Sequence, residues 1–141
     1  CAQDAVAVVC SEIVFDLYHP WAVRRRFGPA EFVEIPWVLR EPGSGTRQAL
    51  QAVLAAAVRS IADLDVLLEL PANEAVRSAV DAGSAAALMS RLVVANALRS
   101  GLLAEVAADI PARRFIMLRH KERYVGRPAQ AFRALLADEA A

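Results

Sequence analysis

The chain has 141 residues, 57% of them hydrophobic, with 16 basic side chains balanced by 16 acidic ones. That length suits one compact domain, or one lobe with part of another, and so apolar a composition excludes a disordered chain. Zero net charge gives no general attraction to nucleic acid or to a membrane surface.

No apolar run approaches the roughly 20 residues that span a bilayer, and no signal-peptide pattern is visible. The expectation is a soluble, cytoplasmic protein with no membrane partner. The basic clusters at Arg24–Arg26 and Arg119–Arg127 are interleaved with apolar residues and read as solvated edges. Two cysteines make no disulfide framework. Cys10 reads as a small buried hydrophobe. Cys1 matches the first residue of a mature bacterial lipoprotein, but a strand-like run begins at Ala5 with no tether before it, which favours a fragment beginning at cysteine.

In chain order, Ala5–Cys10 is a β-branched run suited to a buried strand. Ser11 to Arg26 shows no regular pattern, because His19-Pro20-Trp21 interrupts it and Pro20 drives His19 towards extended geometry. Gly28–Phe32 predicts a short helical turn with a proline near its start. Pro36–Arg40 predicts a strand, and Leu50, Val53, Leu54, Ala57 and Val58 give helical spacing from Thr46 to about Arg59. Leu64–Leu70 reads as the next strand. Asn73 is expected to cap a helix that carries Ala75, Val76, Ala79 and Val80 on one face and ends at Gly83. Ala85–Met89 is then a strand, Arg91–Arg99 a helix, and Leu102–Val106 and Arg114–Arg119 are strands. Ala129–Leu136 is a closing helix with Phe132, Leu135 and Leu136 turned inwards. Strands alternating with helices predict an α/β fold with a largely parallel sheet, whose ligands gather beyond the strand ends at helix N-termini.

The segment REPGSGTRQAL, Arg40–Leu50, is such a junction. Its glycines and small hydroxyl residues suit either a plain helix start, capped by Ser44 or Gly45, or a loop that also holds an anion on free N–H groups.

Four segments, in order, resemble the effector-binding domain of LysR-type transcriptional regulators. They are PWVLREPGSGTRQALQ (Pro36–Gln51), LELPANEAVRSAVDAG (Leu68–Gly83), ALMSRLVV (Ala87–Val94) and FIMLRHKERYVGRPAQAFRALL (Phe115–Leu136), with HPWA at His19–Ala22 as a fifth, shorter match. The resemblance implies a periplasmic-binding-protein-like (type II) α/β domain. One Rossmann-like lobe would be complete at 20–109. Residues 1–19 and 110–141 would be parts of the other lobe, with crossovers near Tyr18–Trp21 and Ile110–Arg113. The sequence departs from the family at GSAAALMS, where a Gly-Leu-Gly turn is usual and only Gly83 remains.

The same resemblance implies a small-molecule effector, anionic on the helix-start argument, and DNA contact only through a winged helix-turn-helix domain absent from this chain. It implies self-association as well, with Val66–Leu70 and the Asn73–Ala82 helix matching a dimer surface. Candidate effector-binding residues are Ser44, Gly45, Thr46, Asn73 and Ser90; the alternative for Ser44, Thr46 and Asn73 is helix capping alone. Trp21 and Trp37 either line the cleft or belong to the core. Glu41 beside Arg40 and Arg47 reads as a salt-bridge group that positions the loop. His19 and His120 have no partners at metal-ligand spacing, no nucleophile elbow is present, and neither cofactor nor catalysis is expected. The rival reading is a solute-binding protein of an uptake system with the same two-lobed fold.

Overall fold

A computed structural model describes residues 2–9, 11–16, 18–23, 26–83, 85–119, 122 and 124–139. The expectations for Cys1, Cys10, Arg24, Arg25 and His120 lie outside these residues. The strands are β1 Ala2–Val9, β2 Ser11–Asp16, β3 Arg26–Phe27, β4 Pro36–Arg40, β5 Asp65–Leu70, β6 Ala87–Ser90, β7 Leu103–Ala108 and β8 Arg113–Arg119. The helices are α1 Gly45–Ala56, α2 Asn73–Asp81, α3 Arg91–Arg99 and α4 Arg127–Glu139, with short 3-10 turns at Glu31–Glu34 and Ile61–Asp63.

Two compact units result, one made of Cys1–Val9 with Ala112–Ala141, the other of Cys10–Pro111. Ser11–Asp16, which looked irregular in sequence, is a strand paired antiparallel with both β6 and β7. Its inward residues Ile13, Val14 and Phe15 are fully buried, and only the turn from Tyr18 onward carries the His-Pro interruption.

In the Cys10–Pro111 unit, one ladder runs β3-β7-β2-β6 and a second pairs β4 with β5. A parallel bridge between Trp37 and Ala86 joins them, with Val38 N–H donating to Ala86 O at 2.9 Å and Ala86 N–H to Pro36 O at 2.8 Å. The strands therefore lie side by side as β5-β4-β6-β2-β7-β3, and only β2 runs against the rest. Alternation along each strand divides the core by face, because successive side chains leave a strand in opposite directions. Ile13, Phe15, Trp37, Leu39, Leu88 and Val106 pack with Ala49, Leu50, Val53 and Leu54 of α1. Val14, Val38, Ala87, Met89 and Leu103 pack on the other face with Val76 and Val80 of α2 and Val94 and Ala97 of α3. Trp37 is core: it is fully buried, its Nε1–H donates to Phe32 O at 2.8 Å, and its ring meets Phe32 edge-on. Trp21 is half-buried against the same cluster.

The other unit is a two-stranded antiparallel pair, β1 with β8, and α4. The parallel expectation fails here. The inward-facing expectation for α4 fails at Phe132 and Leu135, which are 57% and 66% exposed, whereas Leu136 is half-buried. Helical periodicity sets their shared stripe, but no described element covers it.

Candidate functional site

The chain passes from β4 through α1 to β5 on one side, then returns through α2 to β6 on the other side of β4. The strand order reverses there, and the crevice at the carboxyl ends of β4 and β6 is the topological switch point where open α/β sheets bind ligands. α1, α2 and α3 all begin at the carboxyl ends of parallel strands, so three helix N-termini open on one edge of this unit. Each carries unpaired N–H groups and partial positive charge.

The β4–α1 loop explains its own sequence. Ser44 N–H donates to Glu41 O at 3.2 Å, closing a turn with Pro42 and Gly43 at its centre. Gly43 has φ +91, which the third position of such a turn requires and which glycine supplies without a Cβ penalty. Ser44 is the N-cap: its Oγ accepts from Arg47 N–H at 3.2 Å, and its carbonyl accepts from Gln48 N–H at 3.0 Å. Of the two capping candidates, Ser44 caps and Gly45 is the first helical residue. Among the described residues, the Gly45 and Thr46 N–H groups have no hydrogen-bond partner. Thr46 is the one buried polar residue described in this unit, at 7% exposure, and its hydroxyl is likewise unbonded there.

Asn73 does not cap α2. Ala72 occupies the N-cap without a side-chain bond, and Asn73 is the first helical residue. Its Oδ1 accepts from Arg40 Nη1, because an arginine at the end of the adjacent strand offers a stronger donor than a helix N–H. Ser90 ends β6 and occupies the N-cap of α3, yet its hydroxyl makes no cap bond and has no described partner. The fold thus brings Gly43–Thr46 and Ser90 to neighbouring strand ends. It places Asn73 at the strand on the other side of β4, occupied by Arg40.

Two ion pairs flank the loop. Arg40 Nε and Nη2 make a bidentate pair with Glu41 at 2.8 and 2.9 Å, and Nη2 also reaches Pro71 O at 3.1 Å. The Arg40 bond holds the Glu41 carboxyl below its usual range, with a backbone bond adding to this; the Glu41 bond raises the guanidinium further. Arg47 pairs instead with Glu69 on β5 and donates to Arg40 O at 2.9 Å. The Glu41–Arg40 pair is legible in the sequence; the Glu69 partner of Arg47 and the reach of Arg40 to Asn73 are not. An arginine closing a strand directly before a Glu-Pro-Gly turn was the available signal. Among the described residues no cluster of His, Cys, Asp or Glu has metal-holding geometry, and no helix is long and apolar enough to cross a membrane.

Residues 7–141 match the model of the LysR substrate binding domain family. The chain belongs to this family. A relative named an uncharacterized HTH-type transcriptional regulator in Mycobacterium tuberculosis is 42% identical over 126 residues, 84% of this chain and 39% of that protein. The chain therefore spans about two-fifths of the length of that relative. The regulatory domain of CcmR from Synechocystis PCC6803, solved in complex with 2-PG, superposes with TM-score 0.83 at 21% identity, covering 98% of this chain and 66% of that one. The effector binding domain of QuiR, solved in complex with shikimate, gives TM-score 0.77 at 13% identity over 98% of this chain and 64% of the other. These likenesses establish the periplasmic-binding-protein-like α/β fold of LysR effector domains.

Proposed function

We propose that this LysR-family chain is the ligand-sensing part of a cytoplasmic transcriptional regulator, and that it takes a small anionic effector at the carboxyl ends of β4 and β6. The observation that carries the reading is the switch point. The Gly45 and Thr46 N–H groups and the Thr46 and Ser90 hydroxyls are unbonded there among the described residues, at helix N-termini that favour negative charge. Ser44 contributes by capping α1 and can still donate its hydroxyl proton. Asn73 acts through Arg40. Such a ligand shifts a protein between arrangements by binding one of them more tightly. Self-association and DNA contact through a separate helix-turn-helix domain complete the proposed regulator, and it performs no catalysis. Relatives named HTH-type transcriptional regulators favour regulation over the uptake reading.

A thermal-shift screen of small carboxylic acids, each paired with its uncharged amide, tests this. At least one acid should raise the melting temperature where its amide does not, and Thr46→Val should abolish that rise while leaving the unliganded midpoint within about 3 °C. Stabilisation by amides and acids alike would remove the anion argument.

A further inference from the structure

We propose that Arg40 is the positioning residue of the α1 anion site, a role that rests on the reading above but acts on the loop rather than on the effector. One guanidinium ties together the loops that follow two neighbouring parallel strands. Nε and Nη2 grip Glu41 in the β4–α1 loop, while Nη1 holds Asn73 Oδ1 and Nη2 holds Pro71 O in the β5–α2 turn. The side chain is only 17% exposed, so water competes weakly for these bonds.

The consequence runs through Glu41. Its N–H extends the β4–β5 ladder to Leu70 O at 3.2 Å, its carboxylate is held by Arg40, and its carbonyl accepts from Ser44 N–H. Ser44 then occupies the capping bonds to Arg47 and Gln48, which leaves the Gly45 and Thr46 N–H groups as the open donors of the first turn. Arg47 closes the ring by donating to Arg40 O. Which amides stay open is therefore set by Arg40, which need not touch a ligand. Lysine cannot replace it: an ammonium is a point donor, whereas this site uses a planar fork in three directions.

Amide hydrogen exchange on the full chain, wild type against Arg40→Lys, reads this directly. The expected result is faster exchange at Glu41, Ser44, Arg47 and Gln48, by about tenfold or more, with Leu88–Ala97 unchanged. Asn73→Ala should give a smaller acceleration at the same amides, because it removes one of the four guanidinium contacts. Loop rates equal to wild type in Arg40→Lys would overturn the proposal. Acceleration shared uniformly by Leu88–Ala97 would do so too, by showing a general loss of stability instead of local positioning.

A titration with inorganic phosphate, followed by the Gly45 and Thr46 amide resonances, separates this proposal from the reading beneath it. Saturable shifts in wild type, weakened about tenfold in Arg40→Lys at an unchanged melting midpoint, support both. No shift in wild type counts against phosphate at the anion site, while the exchange result still decides the role of Arg40. Shifts of equal affinity in both proteins would overturn the positioning role.

Discussion

α1 and α4 are amphipathic helices of 12 and 13 residues, and they meet opposite fates. α1 lays Leu50, Val53 and Leu54 onto a six-strand surface and buries them, whereas α4 leaves Phe132 and Leu135 open. A helical stripe becomes core only where a sheet face is built to receive it; most helix stability comes from that packing and not from propensity.

Truncation sharpens the contrast most strongly. Leu50→Ala should cost about 2–5 kcal/mol, because it opens a cavity between α1 and the sheet, whereas Leu135→Ala should cost less than about 0.5 kcal/mol. Urea denaturation of both variants checks this, and similar losses would erase the difference between the helices.

The two ends of α1 offer a second, smaller comparison. At its start Gly43 stands at φ +91 in the turn that precedes the proposed anion site, so Gly43→Ala should lose about 1–2 kcal/mol and weaken anion binding. At its end Val58 stands at φ 56, 93% exposed, in a closing motif where Arg59 N–H returns to Leu54 O at 2.8 Å and Val58 N–H to Ala55 O at 3.0 Å. A β-branched residue is strained in that conformation. Val58→Gly should therefore stabilise the chain by about 1 kcal/mol and leave anion binding alone. Thermal melts together with the phosphate titration distinguish the ends; a loss of stability in Val58→Gly would contradict the strain argument.

The smallest expected effect concerns His19. Its Nδ1 accepts from Trp21 N–H at 3.2 Å and its ring lies 4.8 Å from that of Phe15. Burial holds its pKa below the ordinary 6.5, against an opposing pull from the Asp16 carboxylate. The unfolded chain thus binds the His19 proton more readily than the folded one. Its contribution is fully present above about pH 6.5 and is lost as pH falls towards the lower folded value. Denaturation midpoints measured across this window should fall with pH, and His19→Gln should flatten part of that slope. An unchanged slope would show that other groups carry it.

Element types were legible in sequence wherever local periodicity and punctuation agreed. Pro36–Arg40, α1 and α3 followed from apolar spacing and flanking glycine, and the capped start of α1 followed from Gly43 and Ser44, whose backbone needs are local. Ser11–Asp16 was not legible, because six residues without alternation become a strand only between β6 and β7. The burial of Trp37 and the exposure of Phe132 likewise depended on which surface each side chain met. Asn73 shows the division most sharply. By itself it suits a helix cap; in the fold its oxygen faces Arg40, 33 positions earlier in the chain. Sequence determined the local conformations and the chemical types at the switch point. Tertiary structure decided which polar groups were left unbonded, since hydrogen-bond partners distant in sequence become neighbours only when parallel strands are placed side by side.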